Sequence, residues 1–282
     1  MGAVGLRVRD ARAEVDFYGR LLGLRTATDS AGKTVDITTT MGEPLLRLWI
    51  DPNAAPRPRR STGLYHFALL LPTRADLGVA LLTLTEGGYP LEGAADHLVS
   101  EALYLADPEG NGIEIYRDRP KAEWPRLDGK IEMATDPLDA DGVIEEGRTR
   151  GAQRGLAGGT LMGHVHLNVA DLSAAEAFYC GLLGFDLVTR YGDSAGFVSA
   201  GGYHHHIGFN TWAGRGASPP TPGSRGLVYA TVLLPGDESL SAVRARLDRA
   251  GTAYEERDEG LLVHDPSANR IFLRVGRPLP PV

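Results

Sequence analysis

Several features that would place the chain in common protein classes are nearly or wholly absent. Its 282 residues include a single cysteine, Cys180, which excludes an intrachain disulfide and a thiolate cluster, so any metal would need nitrogen and oxygen ligands. No apolar run approaches the roughly 20 residues of a membrane span, and the first residues contain no apolar signal core, so we expect a cytoplasmic protein without a membrane partner. The net charge of −7 argues against nucleic acid as a partner, because nucleic-acid-binding surfaces are basic.

An internal repeat organises the chain. The segment RDARAEVDFYGRLLGL (residues 9–24) matches ADLSAAEAFYCGLLGF (residues 170–185) at a constant offset of 161 residues. Each copy predicts a strand, then an Asp as helix N-cap, then an amphipathic helix ended by glycine. A second pair, GLYHFALLLP (residues 63–72) and GLVYATVLLP (residues 226–235), is followed in each case by a turn that begins DPEGN or DPSAN.

The two pairs of motifs predict four repeats of a strand, a helix and further strands. Their approximate limits are residues 3–51, 62–118, 162–213 and 225–276. Residues 119–160 are rich in proline, glycine and charge, and they predict a long connecting segment with a short helix around residues 137–148. The predicted domains are therefore residues 1–118 and 161–282, joined by residues 119–160.

Ligand-type residues occur in repeats 2 and 3 at positions where repeats 1 and 4 have apolar or aromatic residues. The aligned pairs are His66 with Tyr229, Glu114 with Phe272, and His164 with Ala3. Two imidazoles and one carboxylate form the ligand set associated with non-haem Fe(II) oxygenases, in which metal positions on one side stay open. The sequence thus indicates one metal site, although the three residues lie far apart along the chain.

Each of these residues also has a purely structural interpretation. A lone histidine on an apolar strand is usually packed in the core or exposed at the surface, and Glu114 follows a turn that suits an edge-strand charge. His166 shares a strand face with His164 and either lies near the site or is merely packed. The joint metal-site interpretation is favoured because only two of the four repeats carry these residues.

The motifs GHVHLNVADLSAAEAFYCGLLGF, GLYHFALLLP and SEALYLADPEGNGIEIYRDRP resemble the vicinal oxygen chelate superfamily, which includes glyoxalase I and the extradiol dioxygenases. More narrowly, SAGGYHHHIGFNTWAGRG is similar to the two-domain catechol 2,3-dioxygenase group. The resemblance covers all four repeats. It implies an α+β fold of four βαβββ units paired into two curved mixed sheets. From the ligand positions we expect repeat 2 to pair with repeat 3 and repeat 1 with repeat 4, within or between chains.

The resemblance also implies roles for individual residues. His66, Glu114 and His164 match the metal-binding positions of the family, for Fe(II) or alternatively Mn(II). Tyr104, ten residues before Glu114, and His205, in the run of three histidines, match catalytic positions. Weaker candidates that would contact the substrate or support the site are His97, His206 and Phe209, and Trp212 is a further candidate for an apolar wall.

The function implied is extradiol cleavage of a catechol by O2, giving a 2-hydroxymuconic semialdehyde type product in aromatic degradation. The partners would then be a small aromatic diol and O2, and a homo-oligomer is expected from the exposed sheet edges. Two other functions stay open at this point. One is a glyoxalase- or thiol-transferase-like metalloenzyme using Ni, Zn or Mn, and the other is a metal-free protein that binds a small molecule and confers resistance.

Overall fold

The computed structural model describes residues 1–276, so the last six residues of the predicted second domain lie outside the described residues. Repeat 1 comprises β1 (Val4–Val8), α1 (Ala11–Val15), β2 (Arg25–Thr28), β3 (Thr34–Thr38) and β4 (Pro44–Ile50). Repeat 2 comprises β5 (Gly63–Leu71), α2 (Arg74–Glu86), β6 (Gly93–Asp96), β7 (Ser100–Ala106) and β8 (Gly112–Asp118). Both repeats have the predicted order of one strand, one helix and three strands.

The second half of the chain repeats this order after the connecting segment. That segment contains a 3-10 turn (Lys121–Glu123), β9 (Arg126–Leu127), β10 (Lys130–Ile131) and α3 (Ala140–Arg148). Repeat 3 comprises β11 (Leu161–Asn168), α4 (Leu172–Glu176), β12 (Asp186–Tyr191), β13 (Ala195–Ser199) and β14 (Ile207–Asn210). Repeat 4 comprises β15 (Gly226–Leu234), α5 (Asp237–Arg249), β16 (Tyr254–Arg257), β17 (Gly260–His264) and β18 (Arg270–Val275).

The strands of the repeats form two eight-stranded mixed sheets. One has the order β16-β17-β18-β15-β1-β4-β3-β2, and the other has the order β12-β13-β14-β11-β5-β8-β7-β6. Repeats 1 and 4 therefore share one sheet, and repeats 2 and 3 share the other. The predicted α+β class is confirmed, as is the predicted pairing of repeats, which occurs within one chain.

The first helix of each half begins as the sequence predicts and then departs from the prediction. Asp10 and Asp171 each accept a hydrogen bond from the backbone N–H three residues later, which caps the helix. After a single α-helical stretch, however, both helices continue as π-helical turns, at Asp16–Leu21 and Ala177–Leu183. Gly184 ends the second of these in a left-handed conformation, with φ of 87°, which suits glycine.

The repeated DPxxN turns anchor these helices to the last strand of a repeat. Tyr179 donates its hydroxyl hydrogen to Asp265 at 2.9 Å, and the Asn269 side chain donates to the same carboxyl at 2.9 Å. Tyr18 makes the equivalent bond to Asp107 at 3.1 Å. Burial raises the pKa of the Asp107 and Asp265 carboxyls, and these hydrogen bonds partly offset the rise. Asp107 and Asp265 thus stabilise the fold by accepting hydrogen bonds from Tyr18 and Tyr179 of the helices.

The connecting segment packs on repeat 2. Helix α3 approaches α2 so closely at Gly78 that a Cβ built there would lie 2.1 Å from the carbonyl oxygen of Val143. Glu101, which is 1% exposed, accepts hydrogen bonds from Arg74 and Arg117, and Arg74 also pairs with Glu146 of α3. The predicted short helix is confirmed, and charged hydrogen bonds tie it to strand β7.

The described residues pack into two compact units. One contains residues 1–7, 54–65 and the described residues from 164 onward, and the other contains residues 8–53 and 66–163. Within residues 1–276, the longest helices have 13 residues, and none has the length and apolar character needed to cross a membrane.

Candidate active site

His66 and Glu114 lie together because their strands are parallel neighbours. In the β5–β8 pair Glu114 is opposite Ala68, two residues after His66, so the two side chains share one face of the sheet. The Nε2 atom of His66 lies 3.1 Å from a carboxyl oxygen of Glu114. Both side chains are buried, at 6% and 3% exposure, and a buried carboxylate needs a positive partner. A cation bound beside Glu114 and His66 would supply that charge.

Tyr104 is placed beside this pair by the β7–β8 hairpin. The ten-residue spacing puts Tyr104 directly opposite Glu114 in the antiparallel ladder, so both side chains project from the same face. The ring centroids of Tyr104 and His66 are 5.8 Å apart. Tyr104 also packs against the buried cluster of Ala68, Leu70, Ala102 and Tyr116, which limits its rotamers.

His97 holds the Tyr104 hydroxyl through a defined tautomer. Its Nδ1 atom lies 2.6 Å from the Ala134 carbonyl oxygen, which can only accept, so Nδ1 carries the hydrogen. In the neutral ring Nε2 is then an acceptor, and Tyr104 donates its hydroxyl hydrogen to it at 2.6 Å. The connecting segment therefore orients Tyr104 through His97, a link that sequence spacing alone did not establish.

His164 lies in the other compact unit, beside the histidine run. Its ring centroid is 4.1 Å from that of His205, and the Nδ1 atoms of His204 and His205 are 2.8 Å apart. One of these two nitrogens must donate and the other accept, so the pair shares a hydrogen. His164 and His204 are 1% and 0% exposed. His204, which the sequence-based prediction did not single out, is thus the direct partner of His205.

His206 has a different environment from His205. Its Nδ1 atom accepts a hydrogen bond from the backbone N–H of Ala200 at 3.2 Å. Burial, followed by the positive charges of the N-terminus and nearby histidines, lowers the pKa of His206 to about 3. His206 is therefore neutral at ordinary pH.

Phe209 lies on the helix-facing side of its sheet. It is paired with Leu167 in the β11–β14 ladder, one residue out of phase with His166, so its side chain is on the opposite face from His166. Its ring stacks on Tyr179 at 5.6 Å, and it is 1% exposed. This packing places Phe209 in the core and argues against the predicted substrate contact. Phe197, which the sequence-based prediction missed, lies 5.1 Å from His205.

The three predicted metal ligands are all buried. His66 and Glu114 lie in one compact unit, where Nε2 of His66 is 3.1 Å from the Glu114 carboxylate, and His164 lies in the other unit. Two neutral nitrogen donors and one anionic oxygen donor suit a divalent transition metal.

The model of the Glyoxalase/Bleomycin resistance protein/Dioxygenase superfamily matches residues 1–115 and 161–259. A relative in Bacillus subtilis (strain 168), named catechol-2,3-dioxygenase, is 46% identical over 269 residues, which cover 94% of this chain and 93% of the relative. This similarity confirms the prediction of a catechol 2,3-dioxygenase-like enzyme.

Solved structures share the fold at low identity. A crystal structure from Bacillus subtilis subsp. subtilis str. 168 has a TM-score of 0.64 at 15% identity and covers 99% of this chain and 86% of that chain. Glyoxalase I from Zea mays has a TM-score of 0.60 at 14% identity and covers 98% of this chain and 92% of that chain. Because the family model matches most of the chain and the Bacillus subtilis relative is 46% identical, the chain belongs to the Glyoxalase/Bleomycin resistance protein/Dioxygenase superfamily.

Proposed function

We propose that this enzyme is an extradiol dioxygenase that opens a catechol-type ring next to its two hydroxyls, with O2 as co-substrate and a 2-hydroxymuconic semialdehyde type product. The observation that carries the proposal is the buried pair of His66 and Glu114, whose Nε2 and carboxyl oxygen lie 3.1 Å apart, with Tyr104 directly opposite Glu114 on the neighbouring strand. The 46% identical relative named catechol-2,3-dioxygenase supports the choice of catechol as the first substrate to test.

His66, Glu114 and His164 would hold Fe(II), and Mn(II) is the alternative that accepts the same donors. The donor set fits such an ion because the buried Glu114 carboxylate lies 3.1 Å from His66. The positive charge of the metal ion would neutralise this carboxylate. When bound, the metal supplies a Lewis-acidic centre at which the diol and O2 are held and activated together.

Tyr104 binds and orients the substrate in this proposal. Because its hydroxyl hydrogen points to Nε2 of His97, the Tyr104 oxygen is presented as an acceptor for a substrate hydroxyl. The hydrogen bond from His97 to Ala134 keeps that direction fixed. A pre-set acceptor costs little reorganisation when the substrate binds, which favours one orientation of the diol.

His205 takes the proton of a substrate hydroxyl and later returns it. An imidazole has the right ordinary pKa for this task at neutral pH. The Nδ1 contact with His204 at 2.8 Å lets the buried neighbour share the hydrogen while His205 acts as base. Phe197, with its ring 5.1 Å from His205, covers one side of the imidazole and limits access of water to it.

The test uses protein purified without air and loaded with ferrous salt. We expect iron to bind, and addition of catechol to produce oxygen uptake together with a yellow ring-opened product. His205→Ala should keep its iron and lose turnover by roughly 10²–10⁴-fold, the usual range for a general acid–base group. The matched control is His264→Ala, since His264 is an exposed histidine at the end of β17.

Three outcomes would contradict the proposal. Full iron loading without oxygen uptake on catechol would remove the ring-cleavage function. Loss of iron in the His205→Ala variant would mean that the histidine run belongs to the ligand set. Absence of iron binding by the wild-type protein would favour a metal-free His66–Glu114 ion pair.

A further inference from the structure

A series of ring contacts leads from the proposed ligand His164 to the surface. The ring centroid of His205 lies 4.1 Å from that of His164. The ring centroid of Phe197 lies 5.1 Å from that of His205. His166 follows at 5.5 Å from Phe197. All of these rings belong to one compact unit, in which His164, His166 and Phe197 lie on strands of one sheet and His205 lies in the connection between β13 and β14.

Strand register explains why His166 and Phe197 approach each other. His166 is opposite Gly208 in the β11–β14 pair, and Phe197 is opposite Gly208 in the β13–β14 pair. A Cβ built on Gly208 would lie 3.0 Å from the His166 ring. The missing side chain at Gly208 thus leaves room for the two rings to meet across β14.

Beyond His166 lie two large rings that are only half-buried. Trp212 and Tyr65 have ring centroids 5.3 Å and 5.2 Å from His166, and 5.0 Å from each other. They are 48% and 43% exposed, in contrast to Phe209, which is 1% exposed in the core. The backbone N–H of Trp212 donates to the Asn210 side chain at 2.9 Å, which fixes the turn that carries the indole.

Half-exposed aromatic rings gain stability when an apolar surface covers them. Phe197, His166, Trp212 and Tyr65, here named the aromatic shelf, offer such a surface in continuity with His205. A ligand whose diol is held near His205 would place a flat substituent on this shelf, where stacked and edge-to-face contacts with rings are favourable.

Resting on the proposed function, we infer that the preferred substrates are catechols that carry an apolar, planar substituent, which binds the aromatic shelf. The continuity of ring contacts with His205 favours this occupant over a second copy of the chain. The ring-opening step itself is the same for catechols with and without such a substituent.

The experiment compares catechol, 4-phenylcatechol and 3,4-dihydroxybenzoate with the iron-loaded wild type, Trp212→Ala and Tyr191→Ala. Tyr191 is 65% exposed on β12, which makes it a matched control for loss of an exposed aromatic ring. We expect kcat/KM in the wild type to be highest for 4-phenylcatechol and lowest for the charged 3,4-dihydroxybenzoate. Trp212→Ala should lower kcat/KM for 4-phenylcatechol by about 3- to 10-fold and leave the value for catechol within about twofold.

A second readout does not depend on turnover. The dissociation constant of 4-phenylcatechol, measured without O2 by tryptophan fluorescence, should rise in Trp212→Ala by the same factor as kcat/KM falls. The inference would be wrong if Trp212→Ala lowered kcat/KM for catechol and 4-phenylcatechol by the same factor, or if Tyr191→Ala lowered kcat/KM for 4-phenylcatechol as much as Trp212→Ala does. In either case, turnover of catechol by the wild type would still support the proposed function. If Trp212→Ala changed the oligomeric state but not the preference between catechol and 4-phenylcatechol, the aromatic shelf would be a contact surface for a second chain. Absence of oxygen uptake with every diol would instead remove the proposed function, and the inference with it.

Discussion

Replacing Glu14 by glutamine should stabilise the protein at neutral and alkaline pH. Glu14 is 0% exposed, and a backbone hydrogen bond from Glu109 offsets only part of the cost of burying its carboxyl group. Burial, followed by the charges of Asp107 and Glu109, raises the pKa of Glu14 to about 9. The folded protein therefore holds a neutral carboxylic acid where the unfolded chain holds a carboxylate at pH 7.

The size of the effect follows from this pKa difference. The folded state binds one more proton than the unfolded state between the ordinary value of 4.5 and about 9, so stability falls as pH rises through this window. At 1.36 kcal/mol per pKa unit, the 2.5 units between 4.5 and pH 7 amount to a loss of about 3 kcal/mol relative to low pH. Glutamine does not titrate and removes this loss.

The assay is urea unfolding of wild type and Glu14→Gln from pH 5.5 to pH 8.5. The difference in unfolding free energy should grow in favour of the variant by about 1.4 kcal/mol for each pH unit. Glu123→Gln, at an exposed position, is the control and should follow the wild type. Repeat 3 has the buried Ala175 at the position aligned with Glu14, so the fold does not require an acid there. A difference that stays constant across this pH range would refute the reasoning.

Two further predictions concern the framework. Gly78→Ala should lower the unfolding free energy by about 1–3 kcal/mol in urea unfolding, because its Cβ would lie 2.1 Å from the Val143 carbonyl oxygen. Gly93→Ala, with no atom within 4 Å of the added Cβ, is the control, and equal values for both variants would contradict the close packing of the helices. Tyr179→Phe should also cost about 1–3 kcal/mol, since buried Asp265 would lose the hydroxyl hydrogen bond. An unchanged urea midpoint would show that this bond contributes nothing.

The repeat-level fold could be predicted because its signals are local. Asp10 and Asp171 stand directly before the helices they cap, and the DPEGN and DPSAN turns stand directly before the last strand of their repeats. Comparison of aligned positions within one chain also made His66, Glu114 and His164 the candidate metal ligands, because repeats 1 and 4 have Tyr229, Phe272 and Ala3 at those positions; their role stays a prediction. The domain limits, the expected oligomer and the cytoplasmic location stay predictions.

The remaining features depend on contacts between distant segments. The hydrogen bond from His97 to Ala134 joins residues 37 positions apart, and no local pattern specifies it. The orientation of Phe209 depends on which face of β14 meets the helix, which period-two alternation leaves undecided. Phe197 and Gly208 acquire their relation to His166 only through strand register. The π-helical turns likewise leave no distinct mark in an otherwise amphipathic helix.

The most direct test of the central claim is a count of tightly bound iron per chain, prepared without air, in the wild type and in His66→Ala, Glu114→Ala and His164→Ala. We expect one Fe(II) per chain in the wild type and binding weaker by about tenfold or more in each variant, with circular dichroism showing that the fold is kept. A variant that binds ferrous iron as tightly as the wild type would contradict the claim that these three side chains hold one metal ion.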